Sequence, residues 1–204
     1  MLHTRLSRIA ADVAALDDCV TYIEREIRPA LEVRSGSLGI SVMEDRERGV
    51  AIFGSFWTTS GEMNGSEDTE APLRAELASR AGGAVTVEDY AVPIFELVER
   101  QAPPPGGFAV RLTRIQAQPS QVDDIIEVVS DIAVPSLFVT PGFCDALLFA
   151  HRDSGRLISE TVWRDAGARA AAPSVAATVR TEVSGEATST IEDYALVFST
   201  VQEP

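Results

Sequence analysis

Arg5-Leu6-Ser7-Arg8-Ile9 returns 106 positions later as Arg111-Leu112-Thr113-Arg114-Ile115, and the same offset aligns a long run of residues beyond it. Asp17-Asp18 falls on Asp123-Asp124, Pro29 and Leu31 on Pro135 and Leu137, Gly36 on Gly142, Gly49 on Gly155, and Trp57 on Trp163, with no gap. Further on, Val87-Glu88-Asp89-Tyr90-Ala91 matches Ile191-Glu192-Asp193-Tyr194-Ala195 at an offset of 104, so two residues are lost between Trp163 and Ile191. An ordered series of Pro, Gly, Trp and Tyr in one register marks an internal duplication, and a repeat of this kind governs the whole fold. Between the copies runs Gln101-Ala102-Pro103-Pro104-Pro105-Gly106-Gly107. Three prolines stiffen that segment and two glycines let it swivel, so it reads as a spacer without regular structure. The expected boundaries are a first module over residues 1–100, a Pro/Gly linker over 101–107 and a second module over 108–204.

Each copy spells the same elements. Leu2 to Ile9 and Phe108 to Ile115 are β-like. A helix comes next, with Leu16, Val20, Ile23, Ile27 and Leu31 in the first copy and Val122, Ile126, Val129, Ala133 and Leu137 in the second. Steps of four, three, four and four residues place them on one stripe of an α-helix. Pro29 and Pro135 sit near the end of that stripe, where an interior proline costs about 3 kcal/mol, so the helix is expected to kink or loosen. Two strands come after it, Leu38–Met43 with Val50–Trp57 and Phe143–Ala150 with Arg156–Trp163, joined by the turns Asp45–Gly49 and Arg152–Gly155. A second helix is expected over about Ala71–Arg80 and Ala168–Thr181, and a last strand over Thr86–Val98 and Thr190–Val201. The order βαββαβ is the split βαβ, or ferredoxin-like, arrangement.

Composition is that of an ordinary globular chain, 45% hydrophobic and 24% charged over 204 residues. A net charge of −14 repels phosphate backbones and anionic lipid, which argues against nucleic-acid and membrane partners. All 17 basic residues are arginine, which excludes Schiff-base chemistry on lysine. Cys19 and Cys144 form neither a disulfide framework nor a zinc motif, and read as small buried hydrophobes. No apolar run suits a signal peptide or a membrane span, so a cytoplasmic protein is expected.

The stretch Pro135–Trp163, PSLFVTPGFCDALLFAHRDSGRLISETVW, resembles the dimeric α/β-barrel proteins of the antibiotic-biosynthesis-monooxygenase type. The features that carry the resemblance are a helix ending in a proline-containing turn, the Pro141-Gly142-Phe143 entry to a strand, an acidic-Gly hairpin and a closing tryptophan. The first copy has Ser35-Gly36-Ser37 at the entry instead. The resemblance implies α+β architecture: two βαββαβ ferredoxin-like modules forming an intramolecular pseudo-dimeric α/β barrel, with further homo-oligomerisation left open. It implies a small aromatic or polyketide-like ligand held between sheet and helices, and a cofactor-independent monooxygenase. The alternative is a non-catalytic ligand-binding or stress-associated barrel. Haem-degrading relatives would need a histidine on the helix after the third strand, and none occurs in Thr58–Arg80 or Arg164–Arg180, so no cofactor and no metal are expected.

The same resemblance makes Trp57 and Trp163 candidate ligand-binding residues; side-chain chemistry adds Arg5 and Arg111 as anion clamps, with His151, Tyr90 and Tyr194 as candidate catalytic residues. Each has a structural reading beside the functional one. A tryptophan also closes a sheet onto a helix, and a strand tyrosine packs its ring and leaves its hydroxyl wet. Arg5, Arg8, Arg111 and Arg114 on the first strands also face Glu88, Asp89, Glu192 and Asp193 on the last strands, where cross-strand pairs contribute roughly 0.2–1 kcal/mol. Asp17-Asp18 and Asp123-Asp124 are expected in the first helical turn, where the dipole favours acids, with Ser120 and Asp123 as a capping box. The segment Thr58–Gly65 is polar and glycine-rich, whereas Arg164–Gly167 opens an alanine-rich helix. At most one half is therefore expected to keep an open site.

Overall fold

The computed structural model describes residues 1–98, 107–183 and 186–203. Residues 101–106 of the expected spacer lie outside the described residues. The first copy folds as β1 (Leu2–Ala10), α1 (Val13–Tyr22) continuing into α2 (Arg28–Glu32), β2 (Ser37–Asp45), β3 (Val50–Trp57), α3 (Ser60–Gly65), α4 (Glu67–Ala81) and β4 (Thr86–Leu97). The second comprises β5 (Ala109–Gln116), α5 (Val122–Val128), α6 (Val134–Phe138), β6 (Phe143–His151), β7 (Arg156–Trp163), α7 (Ala166–Ala171), α8 (Val175–Glu182) and β8 (Thr188–Ser199). The eight strands hydrogen-bond in the closed order β1-β3-β2-β8-β5-β7-β6-β4. Contacts gather into two units, Met1–Ala91 with Leu196–Pro204, and Val92–Ala195, so the boundaries fall inside β4 and β8.

In the first unit β3 pairs antiparallel with β1, His3 opposite Trp57, and with β2, where the register shifts between Ser37 and Gly39. Alternation along the strands sends Ile9, Ala51, Phe53 and Trp57 toward the helices. There they meet Leu16, Cys19, Ile23, Ile27, Leu31, Met63 and Leu77 in one buried cluster. Each fully buried Leu or Ile contributes about 1.5–3 kcal/mol relative to an exposed one. The end of the chain closes the edge of β2: Thr200 N–H donates to the Ile40 carbonyl and Gln202 N–H to the Leu38 carbonyl, both at 2.9 Å.

The second unit repeats this residue for residue. Ala109 stands opposite Trp163 in the β5–β7 ladder, and the β6–β7 register shifts between Phe143 and Asp145. Its cluster joins Ile115, Leu148, Leu157 and Trp163 to Val122, Ile125, Val129, Ala133 and Leu137. Val98 N–H donates to the Cys144 carbonyl at 3.1 Å. That bond occupies the repeat position of Gln202 to Leu38.

The loosening expected at the prolines takes one form in both copies. Between α1 and α2, and between α5 and α6, lies a single π-helical turn, Ile23–Ile27 and Val129–Ala133. Arg28 N–H reaches back to Ile23 and Val134 N–H to Val129. Proline has no N–H, and its ring crowds the carbonyl one turn back. A wide turn immediately before it shifts the ladder and lets the helix resume.

Three local expectations need correction, and the polar segment after Trp57 adds a helix. α1 starts at Val13 because Asp12 caps it, accepting from Ala15 N at 2.9 Å. Asp17 and Asp18 therefore lie beyond the first turn, while Asp123 and Asp124 do fall in the first turn of α5. The turn before α5 is tied by Gln121, whose side chain accepts from Gln118 N at 2.9 Å, and not by Ser120. The polar segment after Trp57 is helical, because Thr59 caps α3 by accepting from Glu62 N. The helix expected over Ala168–Thr181 is two helices: Pro173 forces Ala172 out of helical geometry, ψ 146°, and Ser174 caps α8.

Gly49 and Gly155 show why the hairpins recur. Both have positive φ, 64° and 69°, and a Cβ there would lie 2.1 Å and 2.0 Å from the carbonyl oxygens of Ala11 and Ala117. Those two residues donate their N–H groups to the Gly49 and Gly155 carbonyls at 2.9 Å. Gly49→Ala and Gly155→Ala are each expected to cost at least about 2 kcal/mol in urea unfolding, from left-handed strain and the displaced carbonyl. Losses below about 0.5 kcal/mol would contradict this account.

Candidate functional site

Arg5 on β1 and Ser55 and Trp57 on β3 face the helices of the first unit, side by side. From α4 come Glu67, Glu70 and Arg74, whose spacing of three and four residues sets them on one helical face. The result is a closed ionic cage. Arg5 Nε donates to Asp89 Oδ1 at 2.8 Å and Arg5 NH2 to Asp89 Oδ2 at 2.9 Å, a two-pronged pair. Arg5 NH1 donates to Glu67 Oε2 at 2.6 Å and lies 3.8 Å from Glu70 Oε2. Arg74 donates to Glu70 at 2.9 Å and to Glu67 at 2.5 Å. Glu70 is 1% exposed and also accepts from Ser66 Oγ at 2.6 Å. Hydrogen bonding to Asp89 raises the Arg5 guanidinium above its ordinary pKa, so its charge is secure.

The second unit carries the same arginine in a different setting. Arg111 stands between Thr161 on β7 and Asp193 on β8, and its Nε donates to Asp193 Oδ1 at 3.1 Å. Among the described residues no counterpart of Glu67 or Glu70 meets it. Instead α7 supplies a second cation, Arg169, at the repeat position of Met63. Its Nε lies 3.4 Å from Asp193 Oδ1 and is buried without a hydrogen-bond partner. Its NH1 donates to the Tyr194 carbonyl at 3.1 Å. Two guanidinium groups, each with a side chain 18% exposed, thus share one carboxylate. The cage of the first unit sets two guanidinium groups against three carboxylates.

The other candidates divide between core and surface. Trp57 and Trp163 are 0% exposed. Their indole N–H groups donate to Ser55 Oγ at 3.1 Å and Thr161 Oγ1 at 3.0 Å. Tyr90 and Tyr194 are buried, and each hydroxyl donates to the glutamate two residues earlier, Glu88 at 3.0 Å and Glu192 at 2.9 Å. They are not the wet hydroxyls expected of strand tyrosines. Arg114 reaches Glu192 at 3.3 Å. His151 ends β6 opposite Arg156, with Ser154 Oγ 2.9 Å from its Nδ1. In the ladder that is the level of Gln116, whereas Tyr194 pairs with Val110. The two are roughly 20 Å apart along the strand and form no catalytic pair. Burial lowers the pKa of His3, on β1.

Sequence reasoning missed Arg169, Glu70 and Glu160. Glu160 is a buried carboxylate on β7 where the first copy has Gly54. All three occupy positions at which the copies differ, so a search for matching residues passes over them. Among the described residues no group of three or more His, Cys, Asp or Glu side chains could hold a metal ion. Nor is any described helix long and apolar enough to cross a membrane. The clefts differ between the units. One in the first is lined by Glu32, Ser37, Leu38, Gly39, Thr200 and Gln202, and one in the second by Asp124, Glu127, Asp131, Ile132 and Glu182 among others.

Comparison with known proteins places this geometry. The chain matches no family profile. An uncharacterized protein of Mycobacterium tuberculosis H37Rv is 29% identical over 163 residues, spanning 80% of this chain and 71% of the relative. A solved candidate monooxygenase from Lactobacillus acidophilus NCFM superposes with a TM-score of 0.72 at 13% identity, covering 98% of this chain and 94% of that one. An anthrone oxidase-like protein gives a TM-score of 0.66 at 15% identity, covering 97% and 92%. At such identities the likeness is one of fold. By fold, then, the chain stands with these solved proteins: two βαββαβ modules on one polypeptide, their eight strands joined in one closed order.

Proposed function

We propose that the protein binds a small phenolic or enolisable aromatic molecule between the sheet and helices of the second unit, and that the bound molecule reacts there with oxygen without a protein-held cofactor. The observation that carries this reading is the pair Arg111 and Arg169 set against the carboxylate of Asp193. Two guanidinium groups on one carboxylate leave positive charge unspent, and a guanidinium fork suits a planar oxyanion. Such a pair would favour the ionised form of a phenol or enol. The electron-rich anion is then itself the donor to dioxygen. The protein's task is to bind, orient and exclude water. Trp163 would back the aromatic ring, and Thr161 would hold the indole in place. In the first unit Arg5 and Trp57 serve packing, because the cage of Glu67, Glu70 and Asp89 already spends the Arg5 charge.

The candidate monooxygenase and the anthrone oxidase-like protein of the same fold support the reaction class. A second reading, binding without turnover, is favoured by one observation: both tyrosine hydroxyls are already committed to glutamates, and His151 is remote from them.

Anthrone and related polyphenols, titrated against the protein under nitrogen and then under air in an oxygen electrode, separate these outcomes. Protein-dependent oxygen uptake is expected, with kcat/KM at least tenfold lower in Arg111→Ala and Arg169→Ala. Anaerobic binding without uptake supports the second reading. Neither binding nor uptake sinks both.

The repeat-related arginines should differ in stability as well. Arg5→Ala strands the buried Glu70 and is expected to cost about 3–5 kcal/mol in urea unfolding. Arg111→Ala breaks a partly exposed pair and should cost no more than about 1 kcal/mol. Equal losses would contradict the assignment of one arginine to packing and the other to a ligand.

A further inference from the structure

The two copies differ sharply at the bulge that opens their second strand. In the second unit Phe138, at the end of α6, packs edge-on against Phe143, with ring centroids 5.2 Å apart. Phe143 packs the same way on Trp163 at 5.6 Å. The Asp145 carboxylate then accepts from Val98 N at 3.1 Å. An aromatic stack and a carboxylate therefore fill that corner.

In the first unit the repeat positions of Phe138, Phe143, Asp145 and Val98 are held by Glu32, Ser37, Gly39 and Gln202. Three of the four changes remove bulk, and three put a polar side chain where the second unit has an apolar one. In place of the stack lies a cleft of about 380 Å³, lined by Glu32, Ser37, Leu38, Gly39, Thr200 and Gln202. That volume lies within the range of small-molecule sites. Gly39 has φ +111°, and a Cβ there would lie 2.5 Å from the Thr200 carbonyl oxygen, so the close approach of the chain end depends on glycine. Ser37 Oγ is buried and has no hydrogen-bond partner. A buried hydroxyl left unbonded costs roughly 1–3 kcal/mol, which a ligand group would relieve. The Thr200 hydroxyl is already engaged, accepting from Ile40 N at 3.1 Å. Glu32 is the charged side chain of the lining, and the chain as a whole carries −14. Both favour a cation.

We propose that this cleft is a binding site for a small hydroxylated amine of about amino-sugar size. The ammonium pairs with Glu32, and ligand hydroxyls satisfy Ser37 Oγ and the Gln202 amide. The site is separate from Arg111 and Arg169, so it stands or falls independently of the oxygenase reading.

Glucosamine is the probe, titrated at low salt by calorimetry and by amide chemical-shift mapping, with glucose as the neutral comparator. Saturable shifts are expected at Ser37, Leu38, Gly39 and Gln202. Glucose should bind at least tenfold more weakly. Glu32→Gln and Ser37→Ala should each weaken glucosamine at least threefold. The double variant Glu32→Phe with Ser37→Phe rebuilds the stack of the second unit and should abolish binding. The proposal is overturned if glucosamine shifts none of these amides, if glucose binds as tightly, or if both single variants bind like the parent. The single variants change little bulk, so they decide the matter even where the double variant fails to fold.

Discussion

A guanidinium placed on the helix-facing side of a central strand has to be neutralised there, because an unpaired buried charge costs several kcal/mol. Arg5 and Arg111 are such groups, and one set of differences between the two halves follows from how each is met. In the first unit α4 turns Glu67, Glu70 and Arg74 toward the sheet, and the cage that forms leaves Arg5 with a side chain 6% exposed. Its charge is committed to structure. In the second unit the chain after β7 is shorter, Pro173 splits the helix, and the short α7 brings Arg169 beside Arg111. The same strand arginine is then half of a cationic pair. One fold thus yields an arginine caged by carboxylates in one unit and a pair of arginines on one carboxylate in the other, from a change in the helix that covers the sheet.

The fold was legible because duplication doubles each signal. A lone Gly-Trp spacing says little, whereas Gly49 with Trp57 and Gly155 with Trp163 at one offset fix two hairpins and two strand ends. The structure gives the reason those positions match: the glycines admit the Ala11 and Ala117 carbonyls, and the tryptophans lock onto strand hydroxyls two residues earlier. Arg5 opposite Asp89 and Arg111 opposite Asp193 were equally open to inference, since the first and last strands of this topology are neighbours. Periodicity placed the long helix but could not show its π-turn, because one extra residue per turn leaves the apolar stripe almost unchanged. The caps by Asp12 and Thr59 were readable from residue type, yet the glycines of Thr58–Gly65 argued against helix and concealed α3.

The candidate sites were less legible for a reason tied to the same duplication. Residues retained in both copies are those the shared backbone requires, so matching selects scaffold. Gly49 and Gly155, and Ser55–Trp57 with Thr161–Trp163, are of this kind. Unmatched pairs include Met63 and Arg169, Gly54 and Glu160, Glu32 and Phe138, and Ser37 and Phe143. They lie where side chains enter the interior or line a cleft. Within one chain each copy acts as the structural control for the other: the backbone is held nearly constant while chemistry varies at a few positions. A corner filled by three aromatic rings in one unit shows what the other lacks, and an arginine enclosed by three carboxylates in one stands beside an arginine with a single carboxylate in the other. In a tandem barrel of this kind, then, specificity is to be sought in the differences between the halves, because their likeness is already accounted for by the fold.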